Sequence, residues 1–508
     1  MARDLDNLHP ESTVDVIIQY YEAPSDAHHR KVRAKGGQHK GDLALINGAV
    51  YSVKAGALDE LAKDSHVFAI SPDRELRPSL DVTAVTVGSN LAAQAGYTGA
   101  GVGVAVLDSG MYFPAVLGSG LVYSKNFTTT ADSGDWYGHG TFVAGVFGAF
   151  QTGSVYKGLS HGVSLVNLKV LDDTGSGKDS WVISAIDYAI SVKSTYNIRV
   201  MNLSLGRPVT ESYTTDPLCQ AVERAWKAGI VVVVAAGNEG RNNSQNTQGY
   251  GTITAPGNDP YVITVGAMKT NGTATRSDDR IASYSSKGPT SIDHVAKPDL
   301  VAPGNRMTSA IYWNCHMRTQ FPGNSVDSNY FKLSGTSMAT PVVAAAAAVL
   351  LQKTPALTPD QVKARLMRTA TKSFPASSVA TDPVTGLTYT SNYDIFTIGA
   401  GYLDTWGALN DTTATAGTAL SPSVTFSSAT NTASLVYPAS VTWGTSVTWG
   451  TSVIWGTNVQ AKSVIWGTSV IWGTSTMAGN SVIWGTSVIW GTGMPQGEAA
   501  TLAINGEQ

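Results

Sequence analysis

Four polar residues, each close to a glycine, have the chemistry needed for acyl transfer. Asp108 follows an apolar run, His139 opens a run of small residues, Asn238 ends a valine run, and Ser337 precedes an uncharged segment. A serine hydroxyl can act as nucleophile, a histidine as base, an aspartate as the group that orients the histidine, and an asparagine amide as donor to an oxyanion. Each alone has an ordinary explanation as a turn or a cap, so their joint presence carries the prediction of an active site.

The segment around Ser337 reads LSGTSMATPVVAAAAAVLLQ, from Leu333 to Gln352. Its apolar part is long enough for a buried helix, and Pro341 is tolerated there because the first N–H groups of a helix have no intrahelical partner. One interpretation is a helix start capped by Ser and Thr. The other is a nucleophilic hydroxyl held at the positive end of a buried helix. This segment alone does not separate the two.

Short, nearly continuous apolar runs alternate with helical patterns through the middle of the chain. Such runs are typical of parallel strands covered on both faces, which predicts an α/β fold with a doubly wound, mostly parallel sheet. In such sheets the functional residues lie at the carboxyl ends of the strands. The predicted strands are Val102–Leu107, Ser164–Leu171, Val200–Leu205, Ile230–Ala235 and Val262–Val265.

Residues 1–80 form a charged zone with its own pattern. Strand-like and helix-like stretches follow in the order β-α-β-β-α-β, which is the ferredoxin-like α+β arrangement. Asn47-Gly48 stands between two apolar runs, Leu43–Ile46 and Ala49–Val53, and is a strong signal for a two-residue hairpin. We predict a small separate domain over this zone.

The C-terminal part differs in composition, with four charged residues in 411–508. Residues 411–440 are rich in Ser, Thr and Ala and predict a linker, and residues 441–508 contain a Trp-Gly-Thr hexapeptide repeat that predicts a β-rich region. Its tryptophans favour a packed hydrophobic face over a carbohydrate-binding array. Uncharged strand edges there would suit self-assembly or surface attachment.

Composition narrows the classes of function. The chain has 508 residues, 43% hydrophobic and 14% charged, and its net charge of −3 gives no electrostatic case for nucleic-acid binding. No uncharged apolar stretch is long enough to predict a transmembrane segment, and residues 1–30 lack the layout of a signal peptide. The leader was removed, export uses another route, or the protein stays inside the cell. Cys219 and Cys315 either pair once or are free.

The ordered segments resemble the subtilisin-like serine proteases, the subtilase family. The resemblance covers residues 80–410 and rests on GYTGAGVGVAVLDSG, GHGTFVAGV, LKVLDDTGSGKDSWVISAIDYAI, VMNLSLG, VVVVAAGNEG, DLVAPG and LSGTSMATP. The order Asp, His, Ser along the chain is also that of subtilisin. The resemblance implies a catalytic domain over 81–410 and, less specifically, an inhibitory propeptide over 1–80.

This resemblance implies the role of each candidate residue. Asp108, His139 and Ser337 would form the catalytic triad, with the side chain of Asn238 in the oxyanion hole. The expected protein is a secreted or cell-surface serine endopeptidase, made as a self-processing zymogen, that acts on peptide substrates and is inhibited by its own propeptide. Catalysis would need no cofactor. Many relatives bind structural calcium, but no EF-hand-like loop assigns a site.

The resemblance also implies a cleft between two extended edges, in which the backbone of a substrate peptide pairs with both edges by β-addition. Thr254 stands where subtilisins often have glycine at the base of the pocket, which would narrow the pocket. The predicted substrate-binding residues are Gly175, Ser176, Gly177, Ser204, Leu205, Gly206, Ala235, Ala236, Gly237 and Thr254. The insert Tyr312–Phe331 departs from the shorter family pattern. A different class of function is a pseudo-enzyme or adhesin carried by the Trp repeat, which the four filled catalytic positions disfavour.

Overall fold

The computed structural model of this chain divides into two compact units, Met1–Arg77 and Pro78–Gln508. The predicted domain boundary at residue 80 lies close to this division. The residues it describes are 5, 9–73, 79–112, 120–148, 158–244, 247–382, 385–415, 417–427, 432–436 and 506–507.

The first unit is a four-stranded antiparallel sheet with two helices. Its elements are β1 (Thr13–Tyr20), α1 (Asp26–Ala34), β2 (Gln38–Leu43), β3 (Gly48–Lys54), α2 (Leu58–Ala62) and β4 (Val67–Pro72). The strand order is β2-β3-β1-β4, with β2 and β4 at the edges. Alternation along β1 buries Val16, Ile18 and Tyr20 in the core of the unit.

The hairpin in this unit differs in detail from the expectation. Ala44–Ile46, predicted as part of a strand, forms a short 3-10 turn, and Asn47 has a φ of 49° in the left-handed region that asparagine tolerates. The strand before the turn is instead β2. Its pairing with β3 shifts register between His39 and Gly41, so Lys40 is an extra residue in a β-bulge.

The second unit is built on a sheet of eight strands. They are β5 (Gly103–Asp108), β6 (Leu121–Asn126), β7 (Ser164–Lys169), β8 (Ile198–Leu203), β9 (Val231–Ala235), β10 (Ile263–Lys269), β11 (Arg280–Ile281) and β12 (Leu300–Pro303). The order is β11-β10-β9-β8-β5-β7-β6, and β12 also pairs with β10. The pairs are parallel except for the antiparallel pair of β10 with β11. The five predicted strands are therefore present in a mostly parallel sheet, which gains three strands that sequence patterns did not reveal.

Ten helices and three short hairpins complete the described part of this unit. The helices are α3 (Ser79–Thr86), α4 (Ser89–Gln94), α5 (His139–Gly148), α6 (Asp179–Ser191), α7 (Pro217–Lys227), α8 (His316–Gln320), α9 (Thr336–Lys353), α10 (Pro359–Thr369), α11 (Ile395–Ile398) and α12 (Thr405–Asn410). The hairpins pair β13 (Met307–Ala310) with β14 (Tyr330–Leu333), β15 (Ser377–Thr381) with β16 (Thr388–Asn392), and β17 (Ser423–Ser427) with β18 (Thr432–Val436).

Helix α9 is the central helix and packs against β8, β9 and β10. Within the described ranges it alone has the length and apolar composition of a membrane span. Its residues from Thr336 to Leu351 are buried inside the second unit.

The stretch predicted to be a linker, 411–440, packs against the rest of the second unit in the part that the structure describes. Ala419 is fully buried, and the backbone N–H of Ala296 donates to the carbonyl of Pro422 at 2.8 Å. Ser421 donates its hydroxyl to Asp299, and the buried ammonium of Lys363 donates to Ser421 at 2.9 Å. A linker composition is compatible with this packing because small polar residues satisfy a buried ionic cluster. The hexapeptide repeat predicted from Trp443 to Trp490 lies outside the described residues.

A C-terminal residue is also fixed on this unit. The side chain of Glu507 is buried and accepts from the backbone N–H of Ser283 at 2.7 Å, and it pairs with the guanidinium of Arg241 at 3.2 Å. Asn305 exchanges two hydrogen bonds with the backbone of Glu507, at 2.9 and 3.1 Å. We call this contact the Glu507 anchor.

Candidate active site

Asp108 and His139 come together at the carboxyl end of the sheet. Asp108 is the last residue of β5 and His139 is the first residue of α5; both are buried. His139 Nδ1 lies 2.7 Å from Asp108 Oδ1, which also accepts from the N–H of Ser109 at 2.8 Å. Burial lowers the pKa of His139, but the charge and hydrogen bond of Asp108 outweigh it, so the pKa lies above its ordinary value. The carboxylate thus fixes the ring and favours its protonated form.

Asp135 is a second buried carboxylate beside this pair. Its oxygens accept from the N–H groups of Gly138 and Thr141 at 2.7 and 2.6 Å, and from the hydroxyl of Ser109 at 2.7 Å. Burial raises the pKa of Asp135. The residue holds the loop that leads into α5 and so positions His139. Sequence reasoning did not assign it, although an acidic residue four positions before the histidine was a visible signal.

Ser337 is the second residue of α9, after Gly335, which has a φ of 142° that L side chains rarely adopt. Its hydroxyl donates to the backbone carbonyl of Ser204 at 3.1 Å, and the hydroxyl of Ser204 donates to the carbonyl of Ser337 at 2.8 Å. The start of the helix is therefore fixed against the end of β8. The dipole of α9 adds positive potential at this position.

Thr336 orients the amide of Asn238, and sequence reasoning missed this role. The backbone N–H and the hydroxyl of Thr336 both donate to Asn238 Oδ1, at 2.9 and 3.1 Å. The hydroxyl of Thr336 also accepts from the N–H of Gly237 at 3.2 Å. Since the oxygen of the Asn238 amide is occupied in this way, its NH₂ group is left as the donor near Gly335 and Ser337.

Comparison with known proteins agrees with this geometry. The model of the subtilase family, peptidase S8, matches residues 99–386. The chain belongs to the subtilase family. It is 36% identical to serine protease AprX of Bacillus subtilis over 343 residues, which cover 65% of this chain and 76% of the relative. It is 35% identical to subtilisin E of the same species over 346 residues, covering 67% and 80%. An extracellular serine proteinase of Thermus sp. is 34% identical over 343 residues, covering 65% and 72%.

The predicted hydrolase class is thereby confirmed: this subtilase is a serine protease that acts on peptide substrates. The predicted α/β fold with its mostly parallel sheet is confirmed for the second unit, which we call the catalytic unit.

Two of the predicted substrate-binding segments and Thr254 lie together in the subtilase. Thr254 N–H donates to the carbonyl of Ala236 at 3.1 Å. A Cβ on Gly206 would lie 2.6 Å from Thr254 Oγ1, and one on Gly237 would lie 2.8 Å from Thr254 Cγ2. Thr254 therefore lies in contact with both segments, Ser204–Gly206 and Ala235–Gly237. The threonine fits there because the residue that it meets in each segment is a glycine.

The third segment, Gly175–Gly177, lies in a turn after β7. Asp172 closes this turn, since its Oδ1 accepts from the N–H groups of Thr174 and Ser176 at 2.9 and 3.0 Å. Gly177 then pairs with Leu171 in an antiparallel bridge. The segment is thus a short extended edge, held by its own turn.

The insert Tyr312–Phe331 packs against the loop before His139. Met317 N–H donates to the carbonyl of Tyr137 at 3.1 Å, and the ring of Tyr312 stacks on Tyr112 with centroids 3.6 Å apart. Cys315 is buried and free, as is Cys219, so the two cysteines do not pair. Burial raises the pKa of the Cys315 thiol to about 11. The insert therefore adds an aromatic rim beside His139.

Proposed function

We propose that the protein is a secreted serine endopeptidase, made as a self-processing zymogen, that cleaves peptide bonds through an acyl-enzyme on Ser337. The observation that carries this proposal is the buried Asp108–His139 pair, 2.7 Å apart, at the sheet edge where α9 presents Ser337. The proposed reaction needs no cofactor, because the chain itself supplies nucleophile, base and oxyanion donors. Extracellular action fits the similarity to the extracellular serine proteinase of Thermus sp..

The first step is attack of Ser337 Oγ on the scissile carbonyl carbon. The hydroxyl turns from the Ser204 carbonyl toward His139, whose Nε2 takes its proton as the new C–O bond forms. Asp108 holds Nδ1–H and stabilises the imidazolium. The imidazolium then gives the proton to the leaving amine, and water repeats the sequence to release the acid.

The negative oxygen formed in this step requires donors already in place. The Asn238 NH₂ group and the backbone N–H of Ser337 are the proposed pair, with the α9 dipole behind them. Replacing Asn238 by Ala should lower kcat by about 10²–10³-fold with little change in KM, since this hydrogen bond strengthens mainly in the transition state. An effect confined to KM would assign Asn238 to substrate binding.

The nucleophile is tested by labelling. A serine-directed fluorophosphonate should modify Ser337 in the active protein and abolish casein hydrolysis, and Ser337→Ala should remove both label and activity. Ser334→Ala is the matched control, three residues away, and should keep both. Full hydrolysis by Ser337→Ala would show that the assigned triad is wrong.

The zymogen part of the proposal rests on the first unit. Its separate core and strand order β2-β3-β1-β4 fit a ferredoxin-like propeptide covering residues 1–80. Cleavage is proposed between Arg77 and Val85. We favour the start of α3, because Val82 and Thr83 are already buried in the catalytic unit.

Self-processing has a direct test. Ser337→Ala protein expressed alone should remain one chain, and addition of active enzyme should cut it within this window. Normal processing of Ser337→Ala without another protease would exclude self-cleavage.

Thr254 is proposed to restrict the side chain that precedes the cleaved bond. It fills space between Gly206 and Gly237 that a glycine would leave open. Thr254→Gly should therefore raise kcat/KM for substrates with a large aromatic residue there, relative to alanine. An unchanged ratio would place the specificity determinant elsewhere.

A further inference from the structure

A cluster of two histidines and an aspartate lies in the first unit, separate from the residues described above. It consists of His29 on α1 and His39 and Asp42 on β2, and we call it the histidine cluster. One ligand atom from each, a ring nitrogen of His29, a ring nitrogen of His39 and an Asp42 oxygen, lies within 4.8 Å of the others. Imidazole nitrogen and carboxylate oxygen are ligands that Zn²⁺ and related ions prefer in proteins.

The β-bulge in β2 brings two of these residues to one face. His39 and Asp42 are three positions apart, so in a regular strand they would point to opposite sides of the sheet. The extra residue Lys40 reverses the alternation, and His39 pairs with Tyr51 while Asp42 pairs with Ala49. The third residue comes from α1, which packs on β2.

The distances suit a single metal ion. Asp42 Oδ1 lies 2.9 Å from His39 Nε2 and 3.6 Å from His29 Nε2. Ligands at about 2.1 Å from a tetrahedral ion are roughly 3.4 Å apart, so both separations need only small adjustments. The rings of His29 and His39 are 4.1 Å apart between centroids and their Nε2 atoms face the same carboxylate.

The other nitrogen of His29 is supported as it is in metal sites. The hydroxyl oxygen of Tyr51 lies 2.9 Å from His29 Nδ1 and can accept its proton, which leaves the Nε2 lone pair free for an ion. Tyr51 is itself held by Tyr20, which donates to it at 3.0 Å.

A second group, Glu22, His28 and His66, is a useful contrast. The backbone N–H of Ser25 donates to His28 Nδ1 at 3.1 Å. His28 Nε2 faces Glu22 at 4.0 Å, which is longer than either nitrogen–carboxylate separation in the histidine cluster. With Nδ1 occupied and Nε2 farther from its carboxylate, this group is the less compact of the two.

We propose that His29, His39 and Asp42 bind a divalent transition-metal ion, with Zn²⁺ as the expected ion and water in the remaining position. Asp42 has a half-exposed side chain and His39 is partly exposed, which gives the ion a path from solvent. The ion would join α1 to the edge strand β2. It would thus stabilise the first unit in the uncut chain.

Cobalt is the probe that reports this geometry directly. Full-length Ser337→Ala protein, metal-free and without a histidine tag, should bind one Co²⁺ with the intense visible absorption of a low-coordinate site, and Zn²⁺ should displace it. His39→Gln and Asp42→Ala, both at accessible positions, should each weaken Co²⁺ binding by at least about 100-fold, beyond what supporting partners cost. Zn²⁺ should raise the unfolding temperature of the parent but not of these variants.

His66→Gln is the matched control and should bind Co²⁺ like the parent. Absence of the visible bands in the parent would overturn the proposal, as would an unchanged spectrum in both His39→Gln and Asp42→Ala. Loss of the bands in His66→Gln alone would move the site to the second group and contradict the assignment.

Discussion

His139 and His29 are both buried histidines near an aspartate, yet their surroundings act in opposite directions. Asp108 raises the pKa of His139 against the effect of burial, whereas burial and His39 lower the pKa of His29. The carboxylate of Asp108 is fully buried and dedicated to one ring, while Asp42 is half exposed and faces two rings. The same residue types therefore make a proton acceptor in one place and a set of metal ligands in the other.

The supporting hydrogen bond follows the same contrast. Nδ1 of His139 is bound by a carboxylate, which stabilises a positive ring during proton transfer. Nδ1 of His29 faces a neutral tyrosine hydroxyl, which fixes the ring without favouring its protonation. The partner at Nδ1, rather than the histidine itself, decides what Nε2 can do.

The largest expected effect comes from exchanging one carboxylate at a time. Asp108→Asn should lower kcat of the processed enzyme by about 10⁴-fold with little change in KM, because the amide no longer favours the required tautomer. Asp42→Asn is the control: Asp42 lies in the segment that the proposed processing removes, so kcat of the processed enzyme should stay within about twofold, and steady-state peptide hydrolysis measures both. Similar losses in the two variants would break the comparison.

A smaller effect is expected at the hydroxyl behind His29. Tyr51→Phe should weaken Co²⁺ binding to the uncut chain by about 10–100-fold, since the ring loses the acceptor at Nδ1. Tyr20→Phe removes a neighbouring hydroxyl but keeps the Tyr51–His29 contact, and should have less effect in the same titration. Equal affinities in Tyr51→Phe and the parent would show that this hydrogen bond does not support a ligand.

The smallest expected effect is on the pH dependence of kcat/KM at the proposed catalytic site. With neutral His139 as the proposed base, kcat/KM should rise with pH through a pKa above about 6.5, the ordinary value. Asp135 adds to the raised pKa, so Asp135→Asn should move this rise toward lower pH by a few tenths of a unit. Asp132→Asn, in the same loop but exposed, is the control. A shift toward higher pH in Asp135→Asn would contradict the positioning role of Asp135.

Local motifs were enough to predict the parallel strands and to propose catalytic residues after them, because polar residues near glycines at the ends of apolar runs are visible in sequence. Strand β2 was missed because Gln38–Leu43 lies at a sheet edge and has no apolar alternation. Asp135 and Thr336 were missed because their roles depend on partners supplied by other segments.

The packing of 417–424 was missed for a related reason. Its fit depends on Asp299 and Lys363, which are distant in sequence, while its own composition is that of a linker. Composition describes what a segment can do alone, and here the tertiary partners decide the outcome.

The Glu507 anchor changes what a proteolytic nick would do. Residues 423–424 and Glu507 are each bound to the catalytic unit, so the chain between them is attached at both ends. After one cut between Val436 and Gly506, the piece before the cut would still be bonded through Ser423 and Val424 and the piece after it through Glu507. Shedding the C-terminal piece then requires the bonds of Glu507 to Arg241, Ser283 and Asn305 to open as well.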